Sequence, residues 1–166
     1  IAISEGAGSI AVELMNGASY DAVLIPLGNG ALITGMARWI KNVSPGTQVI
    51  GVSSATADAM YASWKSGTVI ERESANTIAD GIAVRTPVPE ALTDMMGIVD
   101  DVLLVSEDAL KTAMKVVFEK AGLVTEPAGI AGIAAVLEHQ ALRGKKLATV
   151  LCGSNLTTEQ VEMWLR

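Results

Sequence analysis

The stretch that decides the fold is residues 24–35, which reads LIPLGNGALITG. It starts as an apolar strand, passes through a turn at Gly28, Asn29 and Gly30, and continues as a helical pattern. Such a turn places successive backbone N–H groups at a helix N-terminus, where the partial positive charge of the helix binds phosphate. The stretch therefore predicts a strand, a turn and a helix with a candidate phosphate site. The alternative is a tight turn in which Gly28 and Gly30 only supply positive φ angles.

Strand-like runs of this kind occur four times, and each is followed by a turn and a helical pattern. They cover residues 22–27, 48–53, 101–106 and 147–152. Each run is nearly continuously apolar, as is expected for parallel strands that are covered on both faces. Repeated strand and helix units build α/β folds. We therefore predict a three-layer α/β domain, with a parallel sheet between two layers of helices.

Capping signals define three of the predicted helices. Ser106 can cap a helix that ends at Gly122. Its predicted apolar face consists of Leu110, Met114, Val117 and Phe118. Residues 157–160, TTEQ, form a capping box before a short final helix. Pro127 suits the first turn of a helix that runs toward Glu138.

The composition limits the class of protein. The chain has 166 residues, of which 50% are apolar and 18% charged, so one globular domain is expected. The net charge is −6 and there is no basic run, so neither nucleic acid nor an anionic membrane is an expected partner. The longest uncharged stretches, residues 22–37 and 42–57, fall short of the roughly 20 apolar residues that cross a membrane. The chain does not begin with Met, and we interpret it as a fragment.

The second strand end with chemical interest is residues 151–155, LCGSN. Ligands of open α/β sheets bind at the carboxyl ends of the strands, so this turn and the one at Gly28 are predicted to share a site. The alternative is that Cys152 is a buried small apolar residue. Because Cys152 is the only cysteine, no intrachain disulfide can form, and the cytoplasm is the expected compartment.

Six blocks occur in one order along the chain. They are the IPLGNGAL segment at 25–32, VIGV at 49–52, TIADGIAV at 77–84, VDDVLLVSED at 99–108, GLVTEPAG at 122–129 and CGSN at 152–155. Their order and content resemble the serine/threonine dehydratases and serine racemases among the fold-type II pyridoxal-5′-phosphate (PLP) enzymes. The resemblance runs from about residue 6 to the end. It implies the tryptophan synthase β-like fold with PLP as cofactor.

The resemblance also assigns eight residues to the cofactor site. The phosphate contacts fall on Gly28, Asn29, Gly30, Ala31 and Leu32, the pyridine nitrogen contact on Cys152, and the pocket lining on Gly81 and Glu126. Asn29 and Ala31 depart from an all-glycine loop, which is harmless if Ala31 already lies in helical space. Gly81 could instead be a turn glycine, and Glu126 an acid at a helix start. Some members of the group bind a cation near the segment equivalent to residues 53–58. Here Ser53 and Ser54 stand where the carboxylate is needed, and although Asp58 remains and backbone carbonyls could help, we assign no metal site.

A PLP enzyme needs a lysine that forms the Schiff base and moves the α-proton. The family places it in a Ser-Phe-Lys-x-Arg-Gly segment well before the phosphate turn. The SWK sequence at 63–65 is similar only superficially, since Ser66 and Gly67 follow, and we predict that Lys65 is a surface residue. We therefore expect this chain to be the C-terminal part of the large PLP-binding domain. The lysine, the small domain and the N-terminal part are expected to be absent from it.

For the intact enzyme the resemblance implies β-elimination of L-serine or L-threonine to a 2-oxo acid and ammonia. A neutral thiol at the pyridine nitrogen makes the ring a weaker electron sink, which suits this reaction. Racemisation, synthase chemistry and diamino-acid ammonia-lyase chemistry remain open. So do a non-catalytic binding or regulatory domain, an isolated folding fragment, and a phosphate-binding α/β domain unrelated to PLP. The expected partners are an amino-acid substrate, the missing N-terminal portion or a partner chain that supplies it, and a second copy in a homodimer.

Four further side chains are assigned no chemistry. His139 stands beside Glu138 and Gln140 near a predicted helix end and is expected to face solvent. Trp39, Trp64 and Trp164 are expected to be packing residues.

Overall fold

The computed structural model describes residues 2–165 of the chain. The helices are α1 Ala2–Leu14, α2 Ala31–Val43, α3 Ala59–Ser66, α4 Pro89–Met95, α5 Glu107–Ala121, α6 Ala131–Glu138 and α7 Thr158–Leu165. The strands are β1 Ala22–Pro26, β2 Gln48–Ser54, β3 Asp101–Val105 and β4 Leu147–Thr149. Short 3₁₀ turns occur at Asp80–Ile82 and Gln140–Leu142.

The four strands form one parallel sheet in the order β3-β2-β1-β4. Strand β1 is buried along its whole length, because it lies between two neighbours and is covered on both faces. Successive side chains of β1 point to opposite faces. Val23 and Ile25 pack with Met36 in the core formed with α1–α4, and Leu24 packs with Leu110 in the core formed with α5–α7. The predicted three-layer α/β architecture is confirmed.

The strand predictions hold within one residue for β1, β2 and β3 and fail for the fourth run. Strand β4 ends at Thr149, three residues before Cys152. It pairs only with β1, as far as the Thr149–Leu24 register, and it forms an edge of the sheet. Beyond this point the backbone packs against the segment that leads into α6, so closely that a Cβ on Gly129 would collide with the carbonyl oxygen of Cys152.

Helix α5 confirms the predicted caps. The Oγ of Ser106 accepts a hydrogen bond from the Ala109 amide at 3.1 Å, and Gly122 closes the helix with φ +67°. Phe118, predicted on the buried face, is 38% exposed, and Ala113 is buried in its place. This prediction is wrong because residues 110, 113, 114 and 117 complete the buried stripe and Phe118 lies beyond its border.

The two other helix predictions have different outcomes. The capping box before α7 is confirmed, since the Thr157 amide donates to Gln160 Oε1 at 2.9 Å and the Gln160 amide donates to Thr157 Oγ1 at 3.2 Å. The helix predicted from Pro127 begins only at Ala131. Residues 127–130 form turns instead.

The prediction that His139 faces solvent is wrong. Its ring is half-buried, and its Nε2–H donates to the carbonyl oxygen of Leu104 at 2.8 Å. Among the tryptophans, Trp164 is buried as expected, Trp64 is half-buried, and Trp39 is 38% exposed beside α1.

Helices α1 and α2 cross with their backbones in contact. A Cβ on Gly35 would collide with the carbonyl oxygen of Ser4, and it would lie 2.9 Å from the amide nitrogen of Gly8. This contact fixes α2, which follows directly on the glycine turn at Gly28. In the described part of the chain, no helix is both long and apolar enough to cross a membrane.

Candidate functional site

The glycine turn lies at the carboxyl end of the central strand β1. The Leu27 amide donates to the Val52 carbonyl oxygen at 2.8 Å, and Ser53 Oγ donates to the Leu27 carbonyl oxygen at 2.8 Å. These bonds hold the start of the turn on β2. Gly30 then turns the chain into α2 with φ +87°. Ala31 is the first helical residue, so it lies in helical space as required.

The two glycines of the turn have different roles. Gly30 needs its positive φ, whereas Gly28 is not among the positive-φ residues of the described chain. Gly28 is instead required for close approach, because its Cβ position lies 3.1 Å from the Gly81 carbonyl oxygen and 3.2 Å from Ile82 Cα. The interpretation in which both glycines only supply positive φ therefore fails for Gly28.

A cavity of about 230 Å³ opens beside the turn. It is lined by Pro26, Gly28, Asn29, Gly30, Ala31, Leu32, Gly81, Ile82, Glu126, Ala128 and Cys152. The structure thus brings together all eight residues that the sequence singled out. It adds Pro26, Ile82 and Ala128, which sequence reasoning missed although each lies within two residues of a selected position. The available signal was that all three lie inside the ordered blocks at 25–32, 77–84 and 122–129.

The backbone amides of the turn are free to bind a ligand. In the part of the chain that the structure describes, none of the amides of residues 28–32 donates to a protein acceptor. Helix α2 adds its partial positive charge at the same place. The turn is therefore chemically suited to an anion.

Asn29 also anchors the turn from its other side. Its Oδ1 accepts a hydrogen bond from the Val88 amide at 3.2 Å, just before α4 begins. The side chain thereby links the turn to α4, while its residue still lines the cavity.

Cys152 and Glu126 form the opposite wall of the cavity. Burial, and second the negative charge of Glu126, raise the pKa of the half-buried Cys152 thiol. The thiol therefore stays protonated at neutral pH. The Glu126 amide donates to the Gly153 carbonyl oxygen at 3.1 Å, and Glu126 Oε2 accepts from the Asn155 amide at 3.3 Å.

The alternative interpretations of Gly81 and Glu126 can now be compared with the structure. Glu126 is not an acid at a helix start, because α6 begins five residues later at Ala131. Gly81 does lie in a 3₁₀ turn, and it also lines the cavity. A Cβ at this position would lie 2.9 Å from the Cβ of Ala128, which lines the same cavity.

No lysine of the described chain lines this cavity. Lys65 lies in α3 and is exposed, with its Nζ 5.7 Å from the centre of the Trp64 ring, so the prediction of a surface residue is confirmed. Lys41 forms an ion pair with Asp100 at 2.6 Å.

The segment compared with a cation site is occupied by protein contacts. Arg72 binds Asp58 through two hydrogen bonds of 2.7 and 2.9 Å, and side-chain hydrogen bonding to Arg72 is the main cause that lowers the pKa of Asp58. Ser54 Oγ donates to Glu107. Within residues 2–165, no three His, Cys, Asp or Glu side chains are grouped so that they could hold a metal ion.

A larger cavity of about 530 Å³ lies between the outer faces of α1 and α2, and it includes Ser4, Arg38 and Trp39. It contains none of the eight selected residues. The smaller cavity, by contrast, opens beside the glycine turn at the carboxyl edge of the sheet, where ligands of open α/β sheets bind. We therefore take the smaller cavity at Gly28 as the candidate site.

Comparison with known proteins agrees with this geometry. The sequence profile of the family described as pyridoxal-phosphate dependent enzyme matches residues 1–153. The L-threonine ammonia-lyase of Thermotoga maritima is 35% identical over 158 residues, which are 95% of this chain and 39% of that protein. The catabolic L-threonine dehydratase TdcB of Escherichia coli is 34% identical over 160 residues, which are 94% of this chain and 49% of that protein.

Solved structures give the same result. The processed form of threonine deaminase isoform 2 from Solanum lycopersicum superposes with a TM-score of 0.88 at 28% identity, over 95% of this chain and 47% of that one. Serine racemase from Dictyostelium discoideum superposes with a TM-score of 0.83 at 31% identity, over 92% of this chain and 50% of that one. The chain thus spans half or less of the length of these relatives.

The fold is the α/β domain of the tryptophan synthase β-like PLP fold, with its candidate site at the carboxyl end of β1. The chain belongs to the pyridoxal-phosphate dependent enzyme family, in the fold-type II group of threonine dehydratases and serine racemases.

Proposed function

We propose that the cavity at Gly28 holds PLP, with the phosphate on the backbone amides of residues 28–32. The observation that carries this proposal is that none of these amides donates to an acceptor within residues 2–165 and that they lie at the N-terminus of α2. A phosphate needs several converging donors, and backbone amides supply them without a bulky side chain. Gly28 has no side chain, so the turn approaches Gly81 through backbone atoms alone.

Other residues of the cavity fit the remainder of the cofactor. PLP supplies an electron sink for the pair left when a bond at the amino acid's Cα breaks. Cys152 keeps its proton at neutral pH, so we assign it the contact with the pyridine nitrogen as a neutral group. Gly81 and Glu126 line the same cavity, and we assign them to its walls.

We further propose that the whole protein is a serine/threonine dehydratase-like lyase of amino-acid metabolism. It would convert L-serine or L-threonine to a 2-oxo acid and ammonia, with loss of the α-proton and the β-hydroxyl, followed by hydrolysis. Two relatives at 34–35% identity are an L-threonine ammonia-lyase and an L-threonine dehydratase. A neutral partner of the ring nitrogen also favours elimination over reactions that need a longer-lived carbanion.

This chain would then be the C-terminal part of the large PLP-binding domain. It spans 39% of the Thermotoga relative and 49% of the Escherichia coli relative. The catalytic lysine and the small domain would come from the remainder of the polypeptide or from a partner chain. A cytoplasmic homodimer is the assembly that we propose for the whole protein.

One observation favours a second candidate, a binding domain without catalysis. No lysine of the described chain lines the cavity, and a PLP enzyme needs one. Such a domain would hold PLP through its phosphate without turning over amino acids.

The test is an assay of the natural polypeptide that contains this chain, with L-threonine and L-serine, with and without added PLP. We expect a 2-oxo acid and ammonia in equal amounts, dependent on PLP. Formation of D-serine without 2-oxo acid would favour the racemase alternative. Binding of PLP without turnover of any amino acid would favour the binding domain, and absence of binding would reject both proposals.

A further inference from the structure

Glu107, the first residue of α5, accepts four hydrogen bonds from distant parts of the chain. Its Oε1 accepts from Ser54 Oγ at 2.8 Å, Thr56 Oγ1 at 2.8 Å and Thr77 Oγ1 at 2.7 Å. Its Oε2 accepts from the Ile78 amide at 2.8 Å. One carboxylate therefore joins the end of β2, the segment at Thr77 and the start of α5.

The segment at Thr77 leads directly into the wall of the cofactor cavity. Thr77 Oγ1 also accepts from the Ala79 amide at 3.1 Å, and the Ile82 amide donates to the Ala79 carbonyl oxygen at 3.0 Å. These local bonds connect Thr77 to Gly81 and Ile82, which contact the Cβ position of Gly28.

Glu107 is the one polar anchor of this segment in the described chain. Within residues 2–165, the two hydrogen bonds that tie residues 75–84 to a segment beyond them, from Thr77 Oγ1 and from the Ile78 amide, both end on Glu107. The other hydrogen bonds of residues 75–84 remain inside the segment. Apolar packing of Ala79 and Ile82 adds to the attachment, but it does not fix the backbone direction as hydrogen bonds do.

We infer that Glu107 is a positioning residue for the cofactor cavity, which it supports from behind by holding residues 77–82 against the glycine turn. Glu107 itself does not line the cavity. The inference rests on the proposed function, because it gives the wall at Gly81 a role in holding PLP.

A carboxylate is required because all four partners are donors. An ionised carboxylate accepts only, and it offers about four lone-pair sites, whereas a glutamine amide replaces one oxygen by a donor. In Glu107→Gln, the NH₂ group would take the place of either Oε2, where it would face the Ile78 amide, or Oε1, where it would face the three hydroxyls. Asp108→Asn is the matched control, since Asp108 is the next residue of the same helix start, its side chain is 95% exposed, and its carboxylate pairs with Lys111 of the same helix at 3.8 Å.

The experiment compares these two variants in the intact protein by amide hydrogen exchange and by affinity for pyridoxine 5′-phosphate. This probe lacks the aldehyde, so it cannot react with surface lysines. In Glu107→Gln we expect the Ile78 and Ile82 amides to exchange about tenfold faster or more, since each ~1.4 kcal/mol changes an opening equilibrium tenfold. We also expect the affinity to fall about tenfold, and both quantities to change less than about twofold in Asp108→Asn.

Unchanged exchange in residues 77–82, or faster exchange with unchanged affinity, would overturn the inference. If the wild type does not bind the probe, the proposed function fails, while the exchange data still decide whether Glu107 holds this wall. If Glu107→Gln does not fold, Thr77→Val replaces it, with Thr56→Val as its control. Thr77→Val removes a donor to Glu107 inside the segment and, with it, the acceptor of the Ala79 amide, whereas Thr56→Val removes a donor to Glu107 outside the segment. Only the first should therefore loosen residues 77–82 and weaken binding, and the Ile78 amide, which donates to Glu107 itself, is the position that reports on Glu107.

Discussion

The Cβ position of Gly28 lies 3.1 Å from the carbonyl oxygen of Gly81. Two segments more than fifty residues apart therefore meet with only backbone atoms between them. One is the glycine turn at Gly28, and the other is the cavity wall, whose Ile78 amide donates to Glu107. A side chain at position 28 would require Gly81 and Ile82, which form the cavity wall here, to move. Such a movement would change the width of the cavity.

The first prediction concerns Gly28→Ala. The added methyl group must push Gly81 and Ile82 by a few tenths of an ångström, so we expect affinity for pyridoxine 5′-phosphate to fall about tenfold, or ~1.4 kcal/mol. Titration calorimetry measures this affinity. Gly46→Ala is the control, because no atom lies within 4 Å of its Cβ position. Equal affinities in the two variants would contradict the importance of this contact.

Comparing Gly153→Ala with Gly144→Ala separates the effect of backbone strain on stability from an effect on ligand affinity at the site. Gly153 has φ +86° and Gly144 has φ +77°, so alanine at either position should cost roughly 1–2 kcal/mol of unfolding free energy. Only the Cβ at position 153 would collide with the Glu126 carboxylate, whereas the Cβ at 144 meets open space. We expect both variants to lose stability in urea unfolding and only Gly153→Ala to lose affinity. A loss of affinity in both would show that strain alone is responsible.

Cys152 provides a pH-dependent prediction. Because burial and the Glu126 charge raise the pKa of its thiol, the protonated form is favoured in the fold. At about pH 8.5, where a solvated cysteine is half ionised, less than half of Cys152 should be thiolate. Its iodoacetamide alkylation should therefore reach half its maximal rate at a higher pH than that of glutathione. Pyridoxine 5′-phosphate should slow the reaction, and a lack of protection would contradict the placement of Cys152 in the site.

Glu107 should also make stability depend on pH. Its partial burial acts to raise its pKa, but hydrogen bonds from the Ile78 amide and from the Thr77, Ser54 and Thr56 hydroxyls outweigh this and lower the pKa. A lowered pKa means that the stabilisation is present above the ordinary value of 4.5 and is lost as the pH falls through the lower pKa of the folded protein.

The unfolding free energy of Glu107→Gln should thus lie roughly 1–3 kcal/mol below that of the wild type at neutral pH. This gap should close as the pH falls below 4.5 and through the lower pKa of the folded protein. Urea unfolding at a series of pH values measures this gap. Asp108→Asn removes the same charge without these bonds. A gap that does not change with pH would contradict the assignment of the stabilisation to the ionised carboxylate.

Much of this structure could be predicted from the sequence. The helix caps and turns depend on residues close together in the chain, and the position of the site follows from the order of the parallel strands. The turn at Gly28 and the turn at Cys152 each follow a strand, and parallel strands place their carboxyl ends at one edge. Six ordered blocks then selected residues that line one cavity in the structure. The cap at Ser106 and the capping box at Thr157 were local patterns, and the structure contains both.

Features that depend on tertiary contacts were not predictable in this way. Glu107 looked like an ordinary acid in the first turn of a helix, since its four donors lie about 30 to 50 positions earlier in the chain. The half-buried His139 ring bonds to the Leu104 carbonyl oxygen of β3, which lies 35 positions earlier in the chain. The apolar run at 147–152 does not reveal that β4 loses its strand partner after Thr149.

The proposed phosphate site can be tested by recording amide chemical shifts of the protein during titration with pyridoxine 5′-phosphate and, separately, with pyridoxine. The two compounds differ only in the phosphate group. We expect the amides of residues 28–32 to shift with the phosphorylated compound and to stay unchanged with pyridoxine at the same concentration. Shifts of equal size with both compounds, or shifts confined to residues outside the cavity at Gly28, would contradict the account.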